Sequence, residues 1–185
     1  AIHPVEHLAP EEDVLLLDVS FLSTTAEATM HGPSYAAWLE QTDQSAAYEY
    51  MARLLKLLQW QRPGKRWVLK TPHHLEFPDL AKKSFGDVHF VWTHRNVYES
   101  IPSFMSMVSY ARRLFSDQVD PVQVAQHWLR KTGFMLDRAL DFHSRNNNTS
   151  LFTQVCFEQL VEDPMRILGE IYGHRQETIS PELMK

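Results

Sequence analysis

Two short apolar runs in this chain each end in a cluster of basic or titratable side chains. Trp67-Val68-Leu69 is followed by Lys70-Thr71-Pro72-His73-His74, and the apolar run at 88–93 is followed by His94-Arg95. Each cluster leads directly into a segment with a helical pattern. In α/β proteins, a basic turn between a strand and a helix commonly binds a phosphorylated ligand. These residues therefore predict a ligand crevice outside the carboxyl ends of parallel strands.

Strands and helices alternate along the sequence, which predicts an α/β fold built on a parallel sheet. Short strands are expected at 66–70, 88–93 and 150–155, and helices at 33–39, 74–84, 158–161 and 164–172. Residues 14–19 fit either a helix that follows acidic residues or a short strand. Three strands are few for such a sheet, so we expect a further strand before residue 1.

The three longest helices are predicted from capping residues and apolar spacing. A helix after Asp43 carries one apolar face, formed by Ala47, Tyr50, Met51, Leu54, Leu55 and Leu58. Asn96 begins the second helix as part of a capping box. Asp120-Pro121 begins the third, which is expected to bury Val124, Trp128, Met135 and Ala139. Arg112 and Arg113, late in the second helix, favour a solvated face over a phosphate contact.

The composition is that of a folded protein, and we expect one domain over residues 1–185. Hydrophobic residues make up 44% of the 185 residues, which suits a packed core and argues against disorder. The net charge of −5 makes a nucleic-acid partner unexpected. No apolar run approaches the roughly 20 residues that a membrane-spanning helix needs, so we expect no transmembrane segment. The single cysteine, Cys156, excludes an internal disulfide and fits a cytoplasmic location.

Three segments taken together resemble the sulfotransferase family, and most closely its bacterial-type branch. The first, Leu69-Lys70-Thr71-Pro72-His73-His74-Leu75, is similar to the family's Leu-Lys-Ser/Thr-Pro-x-His-Leu segment. The second is Phe90-Val91-Trp92-Thr93-His94-Arg95 with Ser103 eight residues after the arginine. The third, from Val155 to Pro164, is similar to a Tyr-Glu-x-Leu-x-x-Asp-Pro segment after a late strand. The likeness extends from Pro10 to Tyr172.

The resemblance implies a P-loop-NTPase-like parallel sheet flanked by helices. It also implies an enzyme that transfers a sulfuryl group from 3'-phosphoadenosine 5'-phosphosulfate (PAPS) to a hydroxyl or amine, without a metal. The acceptor would be a small molecule or a glycan or lipid hydroxyl. By correspondence with the family, Arg95 and Ser103 are expected to bind the 3'-phosphate of PAPS. Taken by themselves, Arg95 would also fit an ion pair with Glu99, and Ser103 an ordinary helix position.

One element of the family is not found in the sequence. The family's 5'-phosphosulfate loop follows its first strand, and no Gly-x-x-Arg-Ser-Gly-Thr-like segment occurs here. We therefore expect the fold to be incomplete at its N-terminus. We also expect residues 1–185 alone to be unable to transfer sulfate, because one lysine cannot replace an array of backbone amides around the sulfuryl oxygens.

Sulfuryl transfer resembles phosphoryl transfer, so it needs charge stabilisation at the bridging oxygen and a base near the acceptor. Lys70 is the candidate cation. His74 or His73 is the candidate base, because histidine titrates near neutrality. The structural alternatives are that Lys70 only ends a strand at the surface and that His74 caps a helix or holds a structural hydrogen bond.

Two other functions fit parts of the same pattern. One is a binding protein that holds 3'-phosphoadenosine 5'-phosphate (PAP) through Arg95 and Ser103 without transferring anything. The other is a relative of the P-loop kinases, which share this architecture. The kinase is disfavoured because the sequence contains no Gly-x-x-x-x-Gly-Lys-Ser/Thr segment.

Overall fold

A short parallel sheet has helices before, between and after its strands. The computed structural model describes residues 9–64, 66–146, 150–177 and 179. The helices are α1 (Val14–Asp18), α2 (Thr25–Thr29), α3 (Pro33–Gln41), α4 (Ser45–Gln61), α5 (Pro78–Phe85), α6 (Val97–Arg112), α7 (Pro121–Arg145), α8 (Phe157–Glu162) and α9 (Pro164–His174). The strands are β1 (Phe90–His94) and β2 (Phe152–Cys156). The α/β class is confirmed, and residues 14–18 form the helix rather than the strand.

Strands β1 and β2 run parallel, with Phe90 beside Phe152 at the start of the ladder. Helices α6 and α7 form the connection, since parallel strands need a long crossover. Both strands end at the same side of the sheet, where Arg95 follows β1 and Phe157 follows β2. We call the position of these two residues the carboxyl edge.

The buried strand predicted at 66–70 is wrong. The segment has no regular secondary structure, and Val68 is 89% exposed. A strand requires ladder hydrogen bonds to a neighbouring backbone, and no residue in the described ranges makes one to this segment. The amide of Lys70 donates instead to Oδ1 of Asp13 at 2.6 Å.

The single helix predicted at 74–84 is divided in two. A 3-10 helix spans Pro72–Leu75, and α5 begins at Pro78. Proline has no amide hydrogen and clashes with a preceding helical turn, so Pro78 can begin a helix but not continue one. The hydroxyl of Thr71 accepts a hydrogen bond from the His73 amide at 3.3 Å and caps the 3-10 helix.

The N-terminal caps predicted for α6 and α7 are confirmed. Oδ1 of Asn96 accepts from the Tyr98 amide at 3.0 Å, and Oδ1 of Asp120 accepts from the Val122 amide at 2.9 Å. Each bond satisfies an amide that a helix N-terminus leaves without an intrahelical partner. These caps define where the crossover helices begin, and α6 therefore starts at Val97, two residues after Arg95.

Helix α4 follows Asp43 as predicted, but its buried face differs from the predicted one. Ala47, Met51 and Leu55 are buried, whereas Tyr50 and Leu58 are 41% and 37% exposed. Tyr48 is fully buried in their place. These α4 residues pack with Leu17 of α1 and with Phe77 and Ala81 in one core cluster.

Helix α7 buries the four apolar residues predicted for it, but it also buries a cation. Val124, Trp128, Met135 and Ala139 are at most 5% exposed, and Lys131 on the same helix is 0% exposed. Arg112 of α6 was predicted on a solvated face and is 6% exposed. That prediction is wrong because α6 packs against α2, where the Nη2 group of Arg112 donates to the carbonyl of Glu27 at 2.8 Å.

Candidate active site

Arg95 lies at the carboxyl edge, as the strand assignment predicted. Its guanidinium lies over the ring of Phe157, with Cζ 4.5 Å from the ring centroid. This contact joins the ends of the two parallel strands and orients a long cationic side chain. Arg95 is exposed, and it has no ion pair with Glu99 or with any other described residue. Its hydrogen-bond donors are therefore open to a ligand.

Ser103 lies on α6 and is exposed. It is the seventh residue of the helix, so it lies about 9 Å along the helix axis from Val97, the first residue. No hydrogen bond joins its hydroxyl to Arg95 within the described part of the chain. The structure thus places Arg95 in the turn before α6 and Ser103 within α6, without bringing the two predicted phosphate ligands into contact.

Lys70 is anchored by its backbone and exposed at its side chain. The side chain is 72% exposed, and its ammonium group forms an ion pair with the carboxylate of Glu12. The carboxylate of Asp13 accepts from the Lys70 amide at 2.6 Å. Neighbouring acids therefore hold both the main chain and the side chain at this position.

His74 is hydrogen-bonded through both ring nitrogens. Nε2 lies 2.7 Å from Oδ2 of Asp13, and Nδ1 lies 2.8 Å from the hydroxyl of Tyr48. Since an ionised carboxylate can only accept, Nε2 carries the hydrogen, and Nδ1 accepts from Tyr48. Burial favours a higher pKa for Asp13, but hydrogen bonds from His74 and the Lys70 amide, with the positive charge that His74 carries when it is protonated, hold that pKa below its usual value. Asp13 is thus the carboxylate that orients the imidazole.

His73 has the opposite environment, although it is the next residue. It is 0% exposed, and neither ring nitrogen has a hydrogen-bond partner among the described residues. Its ring lies 5.0 Å from that of Phe77, between centroids. Burial, with smaller effects from the positive charges of His74 and Lys131, lowers the pKa of His73 to about 3. His73 is therefore a neutral core residue near pH 7.

Sequence reasoning missed Asp13 and Tyr48, the two partners of His74. Asp13 ends an acidic run that was interpreted only as the start of α1. Tyr48 stands beside Ala47, on the edge of the predicted apolar face of α4. Intervals of 61 and 26 residues separate them from His74. No spacing rule links residues so far apart, and only the packing of α1 and α4 shows the contact.

A second group of charges lies inside the protein, and we call Glu27, Glu40, Glu76 and Lys131 the buried charge cluster. Nζ of Lys131 lies 2.7 Å from Glu76, 3.4 Å from Glu40 and 3.9 Å from Glu27. Burial raises the pKa of Glu76, and the ion pair with Lys131 offsets this only in part. Glu76 directly follows the 3-10 helix that carries His74, so the cluster supports the segment of the candidate site.

The sequence matches the model of one protein family, the sulfotransferase family. The match covers residues 1–180. The chain belongs to the sulfotransferase family. The predicted family is thereby confirmed. No curated protein sequence matches the chain.

Two crystal structures of mycobacterial sulfotransferases are similar to this chain. Sulfotransferase STF1 from Mycobacterium tuberculosis H37Rv superposes with a TM-score of 0.88 at 30% identity, over 97% of this chain and 49% of STF1. Sulfotransferase STF9 from Mycobacterium avium superposes with a TM-score of 0.87 at 26% identity, over 94% of this chain and 45% of STF9. The bacterial-type branch and the P-loop-NTPase-like fold are confirmed by these likenesses.

This sulfotransferase chain spans about half the length of the two enzymes that it resembles. Across its described ranges, no helix is both long and apolar enough to cross a membrane. Within the same residues, no group of three or more His, Cys, Asp or Glu side chains has the arrangement of a metal site.

Proposed function

We propose that the protein is a PAPS-dependent sulfotransferase that acts on a hydroxyl or amine acceptor. The observation that carries the proposal is the state of Arg95. It is an exposed cation at the carboxyl ends of parallel strands, where ligands of open α/β sheets bind. Its planar guanidinium can donate two parallel hydrogen bonds to a phosphate. Stacking on Phe157 holds it there. Arg95 forms no ion pair with a described residue, although its charge helps to lower the pKa of Glu158 after the cysteine hydrogen bond to that carboxylate.

The 3'-phosphate of PAPS fits Arg95 and Ser103 by chemistry. Arg95 offers several N–H donors and a full charge, and Ser103 offers an exposed hydroxyl further along α6. A long arginine side chain that turns along the helix can share one phosphate with such a hydroxyl. In this proposal both residues bind the nucleotide and take no part in bond making.

Lys70 is proposed to balance negative charge at the bridging oxygen of the donor. Its present partner, Glu12, forms an exposed ion pair, and pairs of this kind are worth about 0–1 kcal/mol. A ligand with several negative charges can therefore displace Glu12 at little cost. The ammonium group of Lys70 then exchanges the carboxylate of Glu12 for the negative charge of the donor, and it is paired both before and after the donor binds.

His74 is the better of the two candidate bases. When the sulfur–oxygen bond to the donor phosphate breaks and a new one forms to the acceptor oxygen, the acceptor must lose a proton. The Asp13 carboxylate holds the Nε2 hydrogen of His74, which leaves Nδ1 as the basic nitrogen. To receive the proton, Nδ1 has to exchange Tyr48 for the acceptor. His73 does not suit this role, since it is fully buried and its pKa is lowered to about 3.

One crossed experiment on the full-length protein tests these assignments. Arg95→Ala should weaken PAP binding about tenfold or more, because a charged hydrogen bond contributes about 1.5–3 kcal/mol. His74→Asn should leave PAP affinity nearly unchanged and lower turnover about 10²- to 10⁴-fold. Arg113→Ala, also exposed and near α6, is the matched control. Calorimetric titration with PAP and a radiolabelled PAPS assay give the two readouts.

The outcomes separate the candidate functions. Equal PAP affinities for Arg95→Ala and Arg113→Ala would remove Arg95 from the site. Tight PAP binding with no turnover on any hydroxyl or amine acceptor would favour the binding protein over the enzyme. Full activity in His74→Asn would move the base to another residue.

A further inference from the structure

A cavity of about 380 Å³ lies between α2, α3, α6 and α7. Its volume falls in the range of small-molecule sites. Arg112, the last residue of α6, lines this cavity, whereas Arg95 precedes the first turn of the same helix. Because a helix rises about 1.5 Å per residue, α6 places the backbones of the two arginines more than about 20 Å apart. The cavity is therefore separate from the carboxyl edge.

The wall of the cavity contains a buried cation without a carboxylate partner. Arg112 is 6% exposed, and it forms no ion pair with any described residue. Its guanidinium donates to two backbone carbonyls, from Nη2 to Glu27 at 2.8 Å and from Nε to Ala28 at 3.4 Å. Burial lowers the pKa of Arg112, and the charge of Glu27 offsets this only in part. Since a cation that is removed from water needs a counter-charge, an anion beside Arg112 would stabilise this arrangement.

Arg112 also has hydrogen-bond donors that the described part of the chain does not use. A guanidinium carries five N–H donors, and only one on Nε and one on Nη2 are engaged by the two carbonyls. Both hydrogens of Nη1 and the second hydrogen of Nη2 remain. The pair Nη1 and Nη2 forms a planar fork that donates two parallel hydrogen bonds to a carboxylate. The free end of the guanidinium therefore matches a carboxylate in both charge and shape.

The other two charged side chains that line the cavity, Arg130 and Glu27, are engaged in contacts of their own. Arg130 donates to both carboxylate oxygens of Glu40, at 2.7 and 3.1 Å. Oε1 of Glu27 lies 2.7 Å from Nε2 of His127, and Oε2 lies 3.9 Å from Nζ of Lys131. The carboxylate of Glu27 is thus shared between two other groups and does not neutralise the guanidinium above it by a direct contact.

The remaining side chains of the cavity suit an organic anion. His31, Gln123 and Gln126 are exposed at the cavity and carry further N–H donors. Pro33 and Ala36, at the start of α3, supply an apolar surface. A ligand with a charged head and an apolar body can therefore contact both kinds of wall.

One guanidinium without a counter-charge favours a ligand with one negative charge. We propose that the cavity binds a small organic monocarboxylate, with its carboxylate against the free donors of Arg112 and its apolar part against Pro33 and Ala36. A nucleotide with several negative charges does not suit this site, because the carboxylate of Glu27 also lines it. Binding of the monocarboxylate requires neither the nucleotide site nor the transfer reaction.

The test uses full-length protein and benzoate as the probe, with binding measured from the broadening of the proton NMR signals of benzoate. We expect saturable binding with a Kd of about 1 mM or below. Benzamide has nearly the same shape but no charge, and it should bind about tenfold more weakly or less, because it forms no charged hydrogen bond. The titration contains no PAPS and measures no turnover, so its result does not depend on the proposed function.

Substitutions of arginine locate the bound benzoate. Arg112→Gln should weaken benzoate binding about tenfold or more, because the charged hydrogen bonds are lost. Arg113→Gln, at the exposed neighbouring residue, is the matched control and should bind as the unmodified protein does. Arg95→Ala should also keep the affinity for benzoate, which distinguishes this cavity from the carboxyl edge. Equal affinities for Arg112→Gln and Arg113→Gln, or a loss of binding in Arg95→Ala, overturn the proposed site.

A second variant decides the question if Arg112→Gln does not fold. Gln126→Glu adds a negative charge at an exposed residue of the cavity wall and keeps the size of the side chain. It should weaken benzoate binding about threefold or more through repulsion and leave benzamide unaffected. Gln61→Glu, at the exposed end of α4, is the control. No saturable binding of benzoate, equal affinities for benzoate and benzamide, or an unchanged benzoate affinity in Gln126→Glu overturns the proposed site.

Discussion

The carboxyl edge and the buried charge cluster hold cations in opposite environments. Arg95 is exposed at the edge, where its guanidinium stacks on the ring of Phe157. Lys131 is 0% exposed in the cluster and lies 2.7–3.9 Å from three carboxylates. Water stabilises an unpaired cation at a surface, whereas a cation removed from water needs partners.

This difference in burial distinguishes a cation that is free to bind a ligand from a cation that stabilises the fold. Replacing an exposed cation should have little effect on stability but should lower the affinity for a ligand. A buried cation interacts with every carboxylate around it, so replacing it should lower the free energy of unfolding. Substitutions at exposed and at buried charges should therefore have different effects on binding and on stability.

The largest effect is expected for Lys131→Met. This change keeps the size of the side chain but leaves Glu27, Glu40 and Glu76 without their shared cation. Breaking a buried pair on one side costs about 3–5 kcal/mol. We expect a loss of this size in the free energy of unfolding, measured by urea denaturation. Lys83→Met on the exposed face of α5 is the matched control and should stay within about 0.5 kcal/mol.

A double variant keeps this comparison testable if Lys131→Met does not fold. Lys131→Met with Glu76→Gln removes both charges of the 2.7 Å pair and should regain part of the lost stability. If Lys131→Met is as stable as the control, or if the second substitution destabilises further, the cluster does not act through charge pairing.

An intermediate effect is expected when His73 is replaced, namely a change in how the free energy of unfolding depends on pH. Its pKa is about 6.5 when unfolded and about 3 in the folded chain, so the unfolded chain binds more protons between these values. The resulting stability is fully present above pH 6.5 and is lost as the pH falls toward 3, by at most about 1.4 kcal/mol per pH unit. His73→Leu should therefore show a shallower decline of unfolding free energy from pH 6.5 to pH 4.

The exposed His174→Leu substitution provides the reference for that slope. It should leave the pH dependence close to that of the unmodified chain. If His73→Leu and the unmodified chain lose stability in parallel over this range, His73 is not held neutral by burial.

The smallest effect is expected for an exposed ion pair. Arg166 lies 2.6 Å from Glu170 one turn later in α9, and both side chains are about half exposed. Such pairs contribute less than about 0.5 kcal/mol, and an acid C-terminal to its base is the weaker orientation. Glu170→Gln should therefore leave the urea midpoint almost unchanged. A loss above 1 kcal/mol would contradict the distinction between exposed and buried charges.

The family could be predicted from the combination of three segments in the sequence. Most helices and two strands could be predicted because they depend on local signals. Asn96 and Asp120 cap their helices through neighbouring amides, and apolar residues three or four apart mark the buried face of α7. The position of Arg95 follows from the end of β1, which adjacent residues define. Local chemistry within a few residues was enough for each of these assignments.

The burial of charged groups and the contacts between distant side chains could be known only from the tertiary structure. The segment 66–70 has a strand's composition but no ladder partner among the described residues, and a strand exists only through its neighbour. The environments of His73 and His74 diverge because Asp13 and Tyr48 reach one imidazole and not the other. Lys131 and its carboxylates come from four elements or segments that spacing does not relate. Burial and pairing are properties of packed surfaces, so they arise only when distant parts of the chain are brought together.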